Sequence, residues 1–520
     1  MELKKKYIHM SHEKGRAMSQ ITLDDDYNVP ESKPDIMRII TVKGEIHLEE
    51  IKAETGRVEL RGNLGFQVLY RSDQEGNGIA FLEGSVPFTE NLNLDGAEEF
   101  DPVKVKWEIE DLNIGIINSR KLSIRSLVVF TAVMDEIRDE EISTAMENEE
   151  DYEVRKENVE ALQLVAAKKD TCRLKNEVIL PSNKPNIQEL LWKNVQLRGL
   201  DTRITEDAIQ FTGELLLYVL YRGNEEEERL QWFETTVPLQ GEVDCSGCRE
   251  NLVSYVGVDD ITFEVEVKPD YDGEERMLTV DAVAELDIKL WEEEEFEMLM
   301  DVYSLKEEVE PVFEDIVFER LLMKNNAKCR AAERLELEEH QENILQVCSA
   351  EGSVQIDTHE ISGNGVYVEG TVAVELLYIT TDDEMPIGSI KGFLPFHQTI
   401  EVPGMEPDGR YELESGLEQL TTILIDNSQV EIKAVIDLNL IAFSSKNRRK
   451  IQEVNKKETD YESLQKIPGL TGYIVKEGDE IWNIAKENHT TVAEIMDTNE
   501  LSSDQVKKGD KLLIVKSMGA

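Results

Sequence analysis

The chain has 520 residues, too many for one hydrophobic core and suited to three or four domains. Its 56 basic against 108 acidic side chains leave a formal charge of -52, which repels phosphate backbones and argues against nucleic-acid partners. No apolar run is long enough to cross a bilayer, so the sequence is not read as an integral membrane protein.

Residues 1–10 carry lysines without the apolar stretch of a secretion signal, so the chain is expected to stay where it is made. Residues 1–19 are polar and read as a loosely held terminus or a first edge strand. A first unit opens with Pro30, Lys33, Pro34, Asp35 and Ile36, where the prolines fix an extended entry segment. Its central stretch alternates apolar residues with a period of two: Val58, Leu60, Gly62, Leu64, Phe66, Val68, Tyr70. That period belongs to a strand with one buried face, and Gly62 is expected to sit at a bulge or bend. A turn-rich insert over 72–78 leads to a return strand through Ile79 and Phe81 to Val86-Pro87-Phe88. Leu122, Ile124 and Val128 mark a closing strand.

The same plan is written twice more. Pro181, Lys184, Pro185, Asn186 and Ile187 open the second copy, Gly213 and Tyr221 carry its signature, an insert covers 223–228, and Val237-Pro238-Leu239 follows. The third copy has Glu338 and Glu342 in place of the prolines and keeps Ile344, Gly370, Tyr378, an insert over 380–384 and Leu394-Pro395-Phe396. Each copy reads as an antiparallel β domain of roughly 110 to 120 residues, most simply a sandwich. The expected organisation is a β domain over 20–135, an acidic connector over 136–171, a second β domain over 172–291, a connector over 292–328 and a third β domain over 329–443. A polar linker over 444–470, with a basic cluster at Lys446, Arg448, Arg449 and Lys450, is expected to be an exposed hinge. The connectors mix glutamates with apolar residues and read as ordered straps with a solvated acidic surface.

A small unit over 471–516 closes the chain. Tyr473-Ile474-Val475 reads as a strand, and Asp479 as the cap of a helix whose inner face is Ile481, Trp482, Ile484 and Ala485. Thr491 with Glu494 makes a capping box for a second helix burying Val492, Ile495 and Met496, and Leu512 to Val515 closes a βααβ order. The fold class is therefore mainly β: three repeated sandwich-like domains and one βααβ domain.

The motif Tyr473-x-Val475-x-x-Gly478-Asp479-x-Ile481-Trp482-x-Ile484-Ala485, with Val492-x-x-Ile495-x-x-x-Asn499 and Gly509-x-x-Leu512-x-Ile514, resembles a LysM domain. The resemblance implies a groove for chitin or peptidoglycan lined by Gly478, Asp479, Glu480 and Ile481 on one side and Thr498, Asn499, Glu500 and Leu501 on the other. Glu480 stands where serine or threonine is common, and Lys508 where proline is frequent. The three upstream units resemble SPOCS domains, and three of them before one LysM domain is similar to the SipL-like spore-coat morphogenetic proteins. That resemblance implies a non-enzymatic scaffold in the mother-cell cytoplasm, recruited to the forespore surface. There it would bind a SpoIVA-like morphogenetic ATPase through the LysM domain while the basement layer of the coat is built. The alternative is a cell-wall protein that uses the LysM domain on peptidoglycan.

Catalytic signals are weak, and no cofactor, metal site or catalytic residue is assigned. The five cysteines are few and odd in number, which predicts no disulfide framework, and Cys245 and Cys248 read as a reduced, inert pair. Gly363-Asn-Gly365 is a turn, Asp270-Tyr-Asp272-Gly273 has its glycine too early for a calcium loop, and His12-Glu13 lacks a second histidine.

Overall fold

A computed structural model describes residues 2–74, 78–224, 230–339, 341–382, 384–407, 409–458 and 466–517. The middles of the first two turn-rich inserts, Asp383 of the third and part of the linker lie outside the described residues. The first domain has six strands: β1 (Leu3–Asn28), β2 (Ile36–Glu54), β3 (Arg57–Ser72), β4 (Ile79–Asn93), β5 (Val103–Asn118) and β6 (Lys121–Met146). They form two three-stranded antiparallel sheets, β2-β3-β4 and β1-β6-β5. The second domain repeats this with β7 (Glu153–Ile179), β8 (Ile187–Thr205), β9 (Ala208–Gly223), β10 (Leu230–Asp244), β11 (Val253–Pro269) and β12 (Glu275–Tyr303). The third uses β13 (Glu308–Glu336), β14 (Ile344–Ser362), β15 (Gly365–Thr380), β16 (Ile387–Glu401), β17 (Arg410–Leu424) and β18 (Gln429–Lys457). Each domain has its own core, drawn from both of its sheets.

The signature stretch is the central strand of one sheet in every copy, and its inward residues pack between the two sheets, as the alternation predicts. The signature tyrosines are fully buried, and the hydroxyls of Tyr70 and Tyr221 donate to the carbonyls of Pro34 and Pro185 at 3.1 and 3.2 Å. The signature prolines, Pro87, Pro238 and Pro395, fall in the edge strands β4, β10 and β16, where a missing N–H does least damage to the ladder. Opposite each signature glycine the neighbouring strand bulges: between Leu48 and Glu50, between Arg198 and Asp201, and between Ile356 and Thr358. A Cβ on Gly62 would stand 2.2 Å from the His47 carbonyl oxygen, and one on Gly370 would stand 2.3 Å from that of Gln355. The glycine is required by this close approach.

The acidic segments expected as connectors are strand. Residues 136–146 finish β6 and 153–171 begin β7, while 292–303 finish β12 and 308–328 begin β13; the basic cluster of the expected hinge lies inside β18. Composition hid a period of two in these segments. Glu293, Glu295 and Glu297 are exposed, while Phe296 and Met298 are buried. The first and last strands of each domain thus extend past the sandwich as a two-stranded arm. The three arms share a core built of Ile8, Met10, Ile142, Val159, Ala161, Phe296, Met298, Ile316 and Phe318. Each of these side chains larger than Ala161 contributes roughly 1.5 to 3 kcal/mol before entropy. Lys450, read from sequence as part of a hinge, is 7% exposed between Glu140 at 2.5 Å and Glu314 at 3.3 Å. Burial works against its charge, but these two carboxylates outweigh it and raise its pKa.

The three domains close into a ring. Strand β4 lies beside β8, β10 beside β14 and β16 beside β2, so the same pair of edges is used three times around a pseudo-threefold axis. An apolar cluster where the seams meet takes Leu69 and Ile79, then Leu191, Trp192, Tyr218 and Leu220, then Cys348, Leu377 and Ile387. Lys43 of the first domain reaches the other two, with Asn194 Oδ1 at 2.7 Å and Glu351 at 2.5 Å.

The last unit folds as β19 (Leu470–Ile474), α1 (Ile481–Glu487), α2 (Val492–Thr498) and β20 (Lys511–Val515), with β19 and β20 antiparallel. Ile481, Trp482, Ile484, Ala485 and Ile495 are buried against Val475, Leu512 and Ile514. Among the described residues no helix is long and apolar enough to cross a membrane.

Candidate functional site

The two loops expected to form a groove flank α1 and α2. Gly478 makes the first loop possible with φ +88°. Asp479 does not cap α1. Its carboxylate accepts the Lys476 N–H and the Tyr473 hydroxyl, each at 2.8 Å, and these bonds hold its pKa below the usual carboxylate range. Glu480 occupies the capping position with extended backbone and makes no side-chain cap. Ile481 is in the core at 3% exposure.

In the second loop Thr498 is exposed at the end of α2. The Asn499 amide donates to the Ile495 and Leu513 carbonyls at 2.8 Å and accepts the Leu513 N–H at 2.7 Å, which fastens α2 to β20. Glu500 has φ +51°, and the next N–H, from Leu501, returns to Met496 O at 2.9 Å; the helix ends in a left-handed residue that is not glycine. Leu501 is half-buried against the core. Of the eight predicted groove residues, Gly478, Glu480, Thr498 and Glu500 are exposed, while the other four hold the fold together. The capping box is present as the sequence predicts: Thr491 Oγ1 accepts the Glu494 N–H at 3.0 Å.

Sequence reasoning missed the seat of this domain. It rests on the arm of the second domain, where Asp301 of β12 accepts the Trp482 indole N–H at 2.8 Å and Lys486 Nζ at 2.7 and 2.9 Å. The Tyr303 hydroxyl donates to Thr490 O at 2.9 Å, and its ring meets Trp482 edge to face with centroids 5.0 Å apart. Arg155 of β7 pairs with Glu480, one of the predicted groove residues. Tyr303 also belongs to the apolar core of the small domain.

The cysteine pair is corrected as well. Cys245 and Cys248 are joined as a disulfide with Cα atoms 5.6 Å apart, both under 3% exposed. A turn closed by Cys248 N–H to Cys245 O at 3.0 Å, with Gly247 at φ +84°, points both side chains into the core. The first and third domains make the same turn with Leu94 and Ala97 and with Val402 and Met405, so these are core positions. Cys172, Cys329 and Cys348 are free and buried, and burial pushes the Cys348 thiol up to about 12. Gly363-Asn-Gly365 lies at the hairpin between β14 and β15 and Asp270–Gly273 at the one between β11 and β12. His12 lies in β1 opposite Glu136. Among the described residues there is no group of three metal-ligating side chains.

Fold and site together define a multidomain β scaffold, a closed ring of three sandwiches with one small binding module seated on it. A family model described as the SPOCS domain of SipL matches residues 35–117, 186–268 and 343–425, and the LysM domain matches 473–515. The chain belongs to the SipL family, with three SPOCS domains followed by a LysM domain. Each SPOCS match covers the span from β2 to β5, β8 to β11 or β14 to β17, so the arm strands lie outside it. No curated protein and no solved structure matches the chain. SipL membership implies sporulation, and neither SPOCS nor LysM is a catalytic family.

Proposed function

We propose that the chain is a non-enzymatic scaffold of spore-coat assembly. It works in the mother-cell cytoplasm, is recruited to the forespore surface, and holds a SpoIVA-like morphogenetic ATPase through its LysM domain. The observation that carries this reading is the seat: Asp301 and Tyr303 fix the LysM domain on a rigid ring, where a domain serving only as a tethered glycan hook needs no such fixing. Gly478, Glu480, Thr498 and Glu500 are the groove residues left open to a ligand. Co-purification of the ATPase with the chain from sporulating cells, with and without residues 466–517, tests the reading; equal recovery would end it.

A peptidoglycan-binding function is the second reading, supported by the LysM family itself. Retention of the protein on insoluble peptidoglycan at moderate salt, lost on replacing Thr498 and Gly478, would favour it.

A further inference from the structure

The LysM groove lacks what a protein-docking surface needs. Such surfaces draw affinity from a buried apolar anchor and specificity from a charged rim. Here Ile481 faces the core, Leu501 is half-buried, and the four exposed groove residues are polar or glycine. The β-sheet on the other side of the helices does carry an anchor. Its inward side chains, including Val475, Leu512 and Ile514, pack on the helices. The alternate positions point out, and Leu470 and Ile474 are each 61% exposed, Leu513 44% and Val515 42%. Register places Leu470 beside Val515 and Gly472 beside Leu513, so the glycine leaves the face flat between them. The ring covers none of these four, because the seat uses α1 and the loop after it.

One end of this face is basic. The turn that joins Val475 to Gly509 and Asp510, at 2.8 and 2.9 Å, gathers Lys476, Lys507, Lys508 and Lys511 around Glu477, Asp479 and Asp510. Four cations against three carboxylates reverses, at this turn, the balance of a chain whose net charge is -52. The same net charge opposes a second copy as occupant.

We infer that the outward face of the β19–β20 sheet is a docking surface for an acidic amphipathic segment of a protein partner. Leu470, Ile474, Leu513 and Val515 bury its apolar side, and the lysines at the turn pair with its carboxylates. This rests on the reading that the LysM domain docks a protein.

The test measures binding of the full chain to the purified SpoIVA-like ATPase at low and high salt. Ile474→Ser with Leu513→Ser, both exposed, is expected to weaken binding about tenfold or more with an unchanged unfolding transition. Lys508→Glu with Lys511→Glu is expected to weaken it about fivefold at low salt only, and Glu480→Lys with Glu500→Lys by less than about threefold. A full chain whose LysM core is broken by Ile495→Asp separates the two ideas. If it still binds, the docking function itself fails. If it loses binding while the Ile474/Leu513 variant keeps full affinity, only the sheet-face assignment is overturned. The assignment is also overturned if that variant instead turns a dimer into a monomer in light scattering, or abolishes binding to vesicles of phosphatidylglycerol and phosphatidylcholine while sparing the ATPase.

Discussion

The second SPOCS domain shares its strand plan with the first and third but departs from them at the signature glycine. In the first and third, the bulge opposite the glycine leaves one residue unpaired and presses a carbonyl against the glycine, with Phe88 or Phe396 on its other side. In the second, Gly199 and Leu200 are both unpaired and the wider bulge carries β8 away, so the nearest atom to a Cβ on Gly213 is the Arg198 oxygen at 3.3 Å; the cross-strand neighbour is Leu239. A repeated sequence mark therefore does not mean a repeated constraint. What sets the constraint is the length of the bulge in the facing strand.

Substitution breaks this comparison most directly. Gly62→Val or Gly370→Val is expected to destabilise by about 3 kcal/mol, since a backbone carbonyl must move, and Gly213→Val by about 1 kcal/mol. Denaturant unfolding of the full chain checks this, and equal losses at all three sites would remove the bulge argument.

The seams differ as well. In the seam between the third and first domains, burial pushes Glu375 up to about 7, against the opposing pull of Lys391. Its folded pKa lies above its unfolded one, so its contribution is complete below about pH 4.5 and is lost as pH rises through 7. Stability is expected to fall by about 2 kcal/mol between pH 5 and 8, and Glu375→Gln to flatten that slope. Urea midpoints across this range decide it.

Among the described residues, the hydrogen bonds of the seat come from the arm of the second domain. Asp301→Ala removes the acceptor of both Trp482 and Lys486 and should cost the LysM contact about 1.5 kcal/mol, whereas Arg155→Ala removes an exposed pair and should cost less than about 1 kcal/mol. Hydrogen exchange of α1 in the full chain reports the difference; matching protection in both variants would count against Asp301 as the main fastening. A modest effect is expected at the cysteines. Cys245→Leu with Cys248→Ala copies the first domain's turn and should change stability by no more than about 1.5 kcal/mol, leaving ATPase binding intact.

Strand parity, the paired prolines and the LysM capping box were legible because each is a local pattern enforced by a local geometry. The arms were not, because the density of glutamate around Phe296 and Met298 outweighed their alternation. Asp301 is one carboxylate among 108 acidic residues, and only the approach of a distant tryptophan distinguishes it. Asn499 was read as a groove residue because the family motif carries it, but its amide bonds Ile495 once and Leu513 twice, a fastening of the end of α2 to β20.

Ring closure also sets a timetable for synthesis. Lys43 and Glu351 are 308 residues apart, and Ile8 and Met10 share a core with Phe318. At about 5–20 residues per second, the ribosome needs roughly 15–60 s to deliver the third domain after the first has emerged. Through that interval the first arm's apolar side chains lack Ile316 and Phe318 of the third arm, so a growing chain would gain from a chaperone that shields Ile8, Met10 and Ile142 until the last sandwich arrives.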